Sequence, residues 1–443
     1  MRSAAALALS LLAAALVYGP TLGGDFVYDD PRFVSANPAV EQGVPLARYF
    51  TDPGTQAADR SFGGLYRPLR TISFRVVRLI GEGPAPQRAA NLLLHLLNGL
   101  LLFFVLRAFG CRSPIPAGLG VGLFLLHPAA VEATAWISSR GDLLALTFGL
   151  FALLLHLRPG FPAATCSVAA FLAALLSKES ALFFPLAFLL MGAVRREPRW
   201  RRLAAHAGIL VVYVLVRFEV LGTQAFGQEG GIGLGPASLT AGLLSSGPYY
   251  AALILFPWWI SFEIRLVWDA ATVAGGFLLL SGVLAAIWVT RRRQPGVCIG
   301  LAFVVLALLP VTALQYLIPL KIMVANRFAY PALVGVSILG AMLSGRGRKP
   351  AILLTAVVSC FLLLTLREAP KWVDSRRLWT SVLSRDPDNP VALFGLGFDE
   401  LRAGDPRMAR DLLVRAARID PGYPKLAVCL GRASQILAGR SAA

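Results

Sequence analysis

The sequence predicts an all-α polytopic membrane protein, and three observations support this fold class. Of the 443 residues, 56% are hydrophobic and only 15% are charged, whereas an average soluble protein carries about 25% charged residues. The apolar residues gather into repeated stretches long enough to cross a bilayer as helices. Basic residues collect at the short connections between these stretches, as they do on the cytoplasmic side of membrane proteins.

About eleven spans are predicted from these apolar stretches, with a large first outer loop at residues 23–89. The predicted spans are residues 4–22, 90–109, 115–135, 142–158, 163–177, 180–194, 203–220, 270–290, 297–314, 329–344 and 351–366.

With the N-terminus inside, arginine clusters such as 195–196 and 291–293 face the cytoplasm. A further apolar stretch, 243–262, is either a twelfth span or a re-entrant helix. Making it a full span would put arginines 291–293 outside, so the re-entrant alternative is favoured. Residues 1–22 resemble a cleavable signal peptide, but a retained first helix is the preferred interpretation.

The net charge is +18, and nucleic acid is a partner class that such a balance suggests. The number of apolar spans makes anchoring to the membrane and phosphate binding the better explanation, so no nucleic-acid partner is predicted. The five cysteines lie mostly in or beside apolar stretches, which gives neither a disulfide framework nor a metal-binding CxxC pattern. No metal site and no cofactor are predicted.

The chain divides into a membrane domain, 1–370, and a polar helical segment, 371–443. In that segment Pro387 and Pro421 lie 34 residues apart, as do Gly397 and Gly431, which matches the period of a tetratricopeptide repeat. A single repeat cannot bury its own apolar faces. The segment must therefore dock on the membrane domain, dimerise, or be the remnant of a longer array.

Two adjacent carboxylates, Asp29 and Asp30, follow the first predicted span and open the outer loop. They form either an ordinary solvated turn or a catalytic pair in which one residue is a general base. The sequence does not say which one. The loop is also rich in arginine: Arg32, Arg48, Arg60, Arg67, Arg70, Arg75, Arg78 and Arg88. Arginines beside carboxylates at a membrane surface suit a reaction on a lipid phosphate.

Four further polar groups lie at or near the predicted outer ends of the spans: Tyr66-Arg67-Pro68-Leu69-Arg70; Asn91, His95 and Asn98; His127, Glu132, Arg140 and Asp142; and Ser177-Lys178-Glu179 with Asn326-Arg327. Each has a structural alternative. The arginines suit the headgroup interface, the second group suits hydrogen bonds between helices, and Arg140 suits a buried ion pair. The spacing of His127 and Glu132 is not that of an HExxH zinc site.

In this order, these motifs resemble the C-type (GT-C fold) glycosyltransferases. They are most similar to the transmembrane and tetratricopeptide-repeat-containing O-mannosyltransferases and their bacterial relatives. The resemblance rests on Phe26-Val27-Tyr28-Asp29-Asp30, Tyr66-Arg67-Pro68-Leu69, residues 127–145, Ser177-Lys178-Glu179 and residues 326–330.

The resemblance implies a helical membrane enzyme whose first outer loop carries helices parallel to the membrane. It also implies inverting transfer of a sugar, mannose or another hexose, from a polyprenyl phosphate to a hydroxyl acceptor such as a protein serine or threonine. Asp29 or Asp30 is then the base, and Arg67, Arg70, Lys178 and Arg327 are candidates for the donor phosphate. The residues expected in the substrate cavity are Tyr28, His95, His127, Glu132, Arg140, Asp142, Glu179 and Asn326.

Two other functions compete with this interpretation. A transporter or flippase of lipid-linked sugars would bind the same ligand without catalysis. Such proteins often show inverted repeats, which are not visible in this sequence. A scaffold that displays a repeat would not need eleven spans. The expected location is a bacterial plasma membrane, with the active site on the extracytoplasmic side.

Overall fold

The computed structural model describes residues 2–59, 64–111, 113–222, 236–264, 269–317, 324–423 and 425–441, and in these ranges all regular secondary structure is helical. The all-α prediction is therefore confirmed. The α-helices are α1 (Arg2–Tyr18), α2 (Pro38–Glu41), α3 (Arg48–Thr51), α4 (Pro68–Ile80), α5 (Pro84–Ala108), α6 (Pro114–Leu125), α7 (Val131–Ala135), α8 (Arg140–His156), α9 (Phe161–Ser177), α10 (Phe184–Arg195), α11 (Trp200–Leu221), α12 (Pro236–Leu255), α13 (Ala270–Arg293), α14 (Pro295–Leu317), α15 (Ala332–Ser344), α16 (Arg348–Glu368), α17 (Ser375–Leu383), α18 (Pro390–Ala403), α19 (Pro406–Ile419) and α20 (Leu426–Ser441).

Each predicted span coincides with one or more of these helices. Among the described residues, six helices are long and apolar enough to cross a membrane, and a bent pair makes a seventh. Helices α9 and α15 are apolar but shorter, as is the part Pro295–Pro310 of α14. The chain is thus an integral, multi-pass membrane protein, whereas the count of eleven remains a prediction. Helix α12, with Pro248 inside it, leaves both alternatives for the stretch 243–262 open.

The third predicted span, 115–135, is not one straight helix. Helix α6 ends before His127, and the chain continues at an angle of 51° through α7. Pro128 has no N–H to continue the helical hydrogen bonds, and the His127 side chain accepts the N–H of Ala129 instead. The bend carries Glu132 into the same region as the acidic pair.

Helix α8 lies at the centre of the bundle and α13 at its edge. Within the apolar window of each, 83% of the residues of the first helix are buried but only 6% of those of the second. Small residues allow helices to pack closely. A Cβ on Gly276 of α13, for example, would lie 1.9 Å from the carbonyl oxygen of Leu244 in α12.

The first outer loop folds around a small apolar core, to which Ile137 from the connection before α8 also contributes: Phe33, Val34, Val40, Ala57, Phe74 and Ile137. Helix α4 buries Arg70, Thr71 and Phe74 against this core. Its apolar residues Leu79 and Ile80 are exposed, which suits a helix at an apolar boundary. Arg60 lies outside the described residues.

The C-terminal segment follows α16 without a linker. A 3-10 turn, Ala369–Trp372, in which Ala369 and Trp372 are buried, leads into α17 two residues later. Helices α18 and α19 form a hairpin in which Gly404 takes the left-handed conformation at the end of the first helix, and the Asp405 side chain caps the second. The assignment as a tetratricopeptide repeat remains a prediction, but the segment docks on the membrane domain rather than standing apart from it.

Candidate functional site

The acidic pair lies in a strained turn just before the short π-helix Pro31–Ser35. Tyr28 has a φ of +56°, a left-handed conformation that costs a residue other than glycine on the order of 1–3 kcal/mol. The surrounding structure must hold it there, and such strain clusters at functional sites.

Asp30 is fully buried, and both of its carboxylate oxygens accept hydrogen bonds. Oδ1 accepts the backbone N–H of Ser138 at 2.8 Å and its hydroxyl at 2.6 Å. Oδ2 accepts the N–H of Val27 at 3.0 Å. Burial raises the pKa of Asp30 to about 6, against the effect of these bonds. The carboxylate therefore joins the turn to the loop before α8.

Asp29 is only partly buried, and its carboxylate accepts no hydrogen bond from the residues that the structure describes. Burial raises the pKa of Asp29 to about 6, and the positive charges of Arg32, Arg327 and Arg70 limit the increase. Its oxygens are thus available to a ligand, and near neutral pH it can accept a proton.

Aromatic rings surround the turn on the side of Tyr28. Its ring centroid lies 5.6 Å from that of Trp136, 5.1 Å from that of Phe262 and 5.5 Å from that of Trp379. The last two contacts are edge-to-face, the arrangement that aromatic pairs prefer. Tyr28, predicted in the cavity, is thus part of an aromatic wall.

Arg327 of the last predicted outer loop pairs with Glu132 of α7. Its guanidinium carbon lies 5.0 Å from the centroid of the Trp136 ring, which adds a cation–π contact. The second carboxylate oxygen of Glu132 is buried and has no hydrogen-bond partner among the described residues. These two predicted site residues therefore meet beside the acidic turn.

Lys178 lies at the end of α9 and is held by Asp142 of α8. Its Nζ donates to both carboxylate oxygens at 2.6 Å, and the hydroxyl of Ser139 donates to one of them at 3.1 Å. The Lys178 side chain is only 10% exposed. The amine keeps its place in the bundle because a carboxylate compensates its charge.

Arg67 shares a single carboxylate with a second arginine. Nε of Arg67 donates to Oε2 of Glu179 at 2.9 Å, and Arg217 donates to Oε1 of the same residue at 2.9 Å. Arg217 also donates to the carbonyl oxygen of Gly64 at 2.7 Å. Two guanidinium groups on one carboxylate leave one excess positive charge, which suits an anionic ligand.

Two other predicted arginines are engaged with the backbone. Arg70 donates to the carbonyl oxygen of Gln56 at 3.1 Å and is only 1% exposed. Arg140 donates to the side chain of Asn91 at 2.7 Å and to the carbonyl oxygen of Gln87 at 2.6 Å. Glu132 and Asp142 pair with Arg327 and Lys178, and Arg140 has no ion pair among the residues that the structure describes. Arg70 therefore ties together two parts of the outer loop, and Arg140 of α8 holds the end of that loop on the bundle.

The polar stripe of α5 is buried and hydrogen-bonded between helices. His95 bonds to the hydroxyl of Tyr330 at 2.8 Å and to the carbonyl oxygen of Leu125 at 3.1 Å. Asn98 donates to the same hydroxyl at 3.1 Å. The side chains share one helix face, as their spacing predicts, and their contacts match the structural alternative.

His127 and Asn326 also hold segments together. Nε2 of His127 lies 3.0 Å from the carbonyl oxygen of Ile254 in α12. Asn326 accepts the hydroxyl of Tyr249 at 2.7 Å and donates to the carbonyl oxygen of Ser261 at 2.8 Å. Both residues therefore fix α12 and the loop after it near the site. A cavity role for them remains a prediction.

Sequence reasoning missed two residues of this region, Arg217 and Glu263. Arg217 was recognisable as a lone cation within an apolar span, a placement that points to function. Glu263 lies among charges of both signs: burial, with smaller contributions from Glu132 and Asp29, raises the pKa of Glu263 to about 7, and Arg327 limits the increase. Glu263 directly follows an aromatic stretch, and it was overlooked because that stretch was interpreted as a re-entrant or interfacial helix.

The assembled residues form a carboxylate with free oxygens, an aromatic wall and several compensated cations. Such a set can take a proton from an acceptor and stabilise an anionic leaving group. Among the described residues, no three His, Cys, Asp or Glu side chains are grouped so as to hold a metal ion.

Comparisons with known proteins agree with the motifs. Protein O-mannosyl-transferase Tmtc2 of Drosophila melanogaster is 39% identical over 148 residues, which cover 32% of this chain and 16% of that protein. Protein O-mannosyl-transferase TMTC4 of Homo sapiens is 24% identical over 463 residues, covering 87% of this chain and 62% of that protein. No family model matches the chain.

Among solved structures, the chain is similar to ArnT from Cupriavidus metallidurans bound to undecaprenyl phosphate. The identity is 16% and the TM-score 0.43, with 97% of this chain and 78% of that chain covered. The resemblance to the transmembrane O-mannosyltransferases is confirmed by the sequence matches. The chain spans less than two thirds of the length of these sequence relatives.

Proposed function

We propose that the protein is a membrane glycosyltransferase that moves a sugar from a polyprenyl phosphate to a hydroxyl group. The observation that carries this proposal is Asp29: a partly buried carboxylate without a hydrogen-bond donor among the described residues, surrounded by Arg32, Arg327 and Arg70. The relatives at 24–39% identity, all described as protein O-mannosyl-transferases, support the same reaction class.

In the proposed step, the acceptor oxygen attacks the anomeric carbon from the side opposite the phosphate. The new C–O bond forms as the bond between the anomeric carbon and the phosphate oxygen breaks, so the configuration inverts. The proton of the acceptor hydroxyl passes to Asp29, and the bonding electron pair leaves with the phosphate. General base catalysis of this kind contributes about 10²- to 10⁴-fold to the rate.

The leaving phosphate gains negative charge and needs fixed positive charge near it. The pair of guanidinium groups on Glu179, from Arg67 and Arg217, has one positive charge to spare. Lys178 and Arg327 each have one carboxylate partner. We therefore assign the donor phosphate first to the Arg67–Glu179–Arg217 group and then to Lys178 and Arg327. Arg70 acts through the position of the loop.

The proposed function also includes a particular donor sugar, a particular acceptor and one side of the membrane. The relatives are named for O-mannosyl transfer to protein, which supports mannose as the sugar and a serine or threonine hydroxyl as the acceptor. The arginine-rich loop and the basic short connections support a site on the extracytoplasmic side of the membrane, and we propose that this membrane is a bacterial plasma membrane. A displacement stabilised by side-chain cations requires no metal ion.

Transfer from radiolabelled polyprenyl-phosphate mannose tests the proposal, using membranes that contain the protein and a mixture of peptide and glycan acceptors. Label in an acceptor fraction, lost in the Asp29→Asn variant, is the expected result. If the wild type moves labelled lipid between leaflets of vesicles and forms no product with mannose or another hexose donor, the protein is a flippase and the proposal is wrong.

A further inference from the structure

The strained acidic turn is held by the C-terminal segment. The N–H of Asp25 donates to the carbonyl oxygen of Val373 at 2.7 Å, and the N–H of Tyr28 to the hydroxyl of Ser375 at 3.4 Å. Gly24 lies so close to the segment that a Cβ there would be 2.6 Å from the carbonyl oxygen of Val373. The backbone before the acidic turn is therefore in direct contact with the backbone of the C-terminal segment.

Arg88 of α5 fastens the same contact from the membrane domain. Its Nη2 donates to the carbonyl oxygen of Trp372 at 2.7 Å and to that of Asp25 at 2.5 Å. Its Nη1 donates to the carbonyl oxygen of Ala135 at 3.0 Å. One buried guanidinium thus joins the turn, the end of α7 and the start of the C-terminal segment, and its donors would be left unsatisfied if they separated.

Aromatic rings of the segment complete the wall around Tyr28. Trp379 of α17 is 3% exposed and meets the Tyr28 ring edge-to-face, with an interplanar angle of 80°. Its ring centroid also lies 5.6 Å from that of Phe262, and Trp372 stacks on Trp136. A side chain that packs on Tyr28 opposes relaxation of the positive φ.

The segment also reaches the carboxylates from a second place. Tyr423, in the connection between α19 and α20, lies within electrostatic range of Glu263 and Asp29, and burial together with these two charges raises the pKa of Tyr423 to about 12. The phenol therefore stays protonated at neutral pH and can donate a hydrogen bond. Two separate parts of the segment thus converge on the acidic turn.

We propose that the C-terminal helical segment is a positioning part of the active site, in which Ser375 and Trp379 hold Tyr28 in its left-handed conformation and so aim the Asp29 carboxylate at the acceptor. This inference rests on the proposed function for its catalytic consequence. The conformation of the turn can be measured independently of catalysis. A misplacement of about 1 Å can cost about 100-fold in rate, so loss of these contacts should lower kcat strongly.

The test uses the full chain with Trp379→Ala, Trp379→Phe, Ser375→Ala and, as a matched control, Phe398→Ala. Phe398 belongs to the same segment but is 40% exposed. The measurements are kcat and KM for the donor, binding of polyprenyl phosphate, and hydrogen–deuterium exchange of the amides of residues 24–33. Trp379→Ala should lower kcat about 10- to 100-fold, leave phosphate binding unchanged and speed exchange in the turn.

Trp379→Phe keeps an aromatic ring and should recover most of the wild-type kcat and of the wild-type exchange rate. Ser375→Ala should fold, and its kcat and exchange rate should change in the same directions as in Trp379→Ala, but by less. Phe398→Ala should behave as wild type. Unchanged exchange and unchanged kcat in Trp379→Ala and Ser375→Ala would overturn the inference. If the wild type transfers no sugar but exchange in the turn rises in the variants, the positioning role stands and the proposed function fails.

Discussion

Asp29 and Asp30 are neighbours in the sequence but have opposite hydrogen-bonding states. The carboxylate of Asp30 accepts three bonds, from Val27 and from Ser138, while that of Asp29 accepts none from the described part of the chain. Both side chains carry a raised pKa for the same reason, burial. Only Asp29 has oxygens that an acceptor hydroxyl can reach, so the structure separates a candidate base from a structural carboxylate.

Replacement of each aspartate by asparagine should therefore give different defects. Asp29→Asn removes the proton acceptor, and we expect kcat to fall about 10²- to 10⁴-fold without a loss of thermal stability, because burial disfavours the charged carboxylate that is removed. Asp30→Asn places an amide N–H₂ against the donors of Val27 or Ser138. That costs about 1–3 kcal/mol of stability, with a smaller loss of kcat. Transfer assays and thermal unfolding in detergent check both. Full activity of a folded Asp29→Asn protein would contradict the assignment.

The rate should depend on pH through the ionisation of Asp29. The base acts when deprotonated, and its pKa is raised to about 6. The kcat/KM should therefore be constant above about pH 7 and fall as the pH drops through about 6. Arg32 lowers the pKa of Asp29, so Arg32→Ala should move the midpoint to higher pH. A flat profile between pH 4.5 and 8 would argue against Asp29 as the base.

Arg217 should matter for the donor phosphate although it lies within an apolar helix. Arg217→Ala removes one of two cations from Glu179, and truncating one partner of a buried charge pair costs about 2–5 kcal/mol. We expect the KM for the donor to rise by about tenfold or more. Glu179→Gln frees both guanidinium groups and should not weaken phosphate binding. Arg201→Ala, an exposed arginine on the same helix, is the control and should bind phosphate as wild type.

Parallel losses of stability and of phosphate affinity in both Arg217→Ala and Glu179→Gln would show a purely structural triad. The two effects are separable, because binding of polyprenyl phosphate can be measured on the folded fraction of each variant. Arg217→Lys keeps the positive charge but cannot make both hydrogen bonds of the guanidinium group. Phosphate binding by this variant would therefore further distinguish a role of the charge in phosphate binding from a role in packing.

Transfer should not depend on a divalent cation. The leaving phosphate has Arg67, Arg217, Lys178 and Arg327 as neutralising groups in the proposed mechanism. We expect the rate to be unchanged after incubation with EDTA and on addition of Mg²⁺ or Mn²⁺. A rate that is lost with the chelator and restored by one of these ions would show that the side-chain cations are insufficient.

The sequence predicted which residues lie at the site better than it predicted which residues pair with one another there. The acidic pair, Arg67, Lys178 and Arg327 were found from local motifs, because each stands out against an apolar chain. The pairing of Lys178 with Asp142, 36 residues earlier, depends on how α8 and α9 pack, which no local pattern contains. The bend at His127 was missed because the hydropathy of 115–135 is continuous, although Pro128 marked it.

The C-terminal segment shows a second limit of sequence reasoning. Its repeat-like spacing suggested a separate unit, and the spacing alone left docking, dimerisation and a longer array equally open. The contacts of Trp379 with Tyr28 and of Trp372 with Trp136 required the C-terminal segment to be brought onto the membrane domain. The segment docks through contacts between residues that lie about 350 positions apart in the sequence. The spacing of a repeat contains no information about such contacts.

His127 gives a test of whether the predicted cavity residues act in chemistry or in folding. Its Nδ1 accepts the N–H of Ala129, and its Nε2 lies 3.0 Å from the carbonyl oxygen of Ile254. His127→Leu loses the cap and should lower the free energy of unfolding by about 0.5–2 kcal/mol or more. His127→Asn keeps a capping oxygen and should be closer to wild type.

In both variants the KM and the kcat per folded enzyme should stay near wild type, because the imidazole contacts backbone groups rather than the acidic turn. Unfolding in detergent and transfer by the folded fraction measure the two effects separately. If His127→Asn is as stable as wild type but loses most of its kcat, then the imidazole takes part in the substrate cavity, as its place among the motifs predicts. The cap would then be the secondary role of His127.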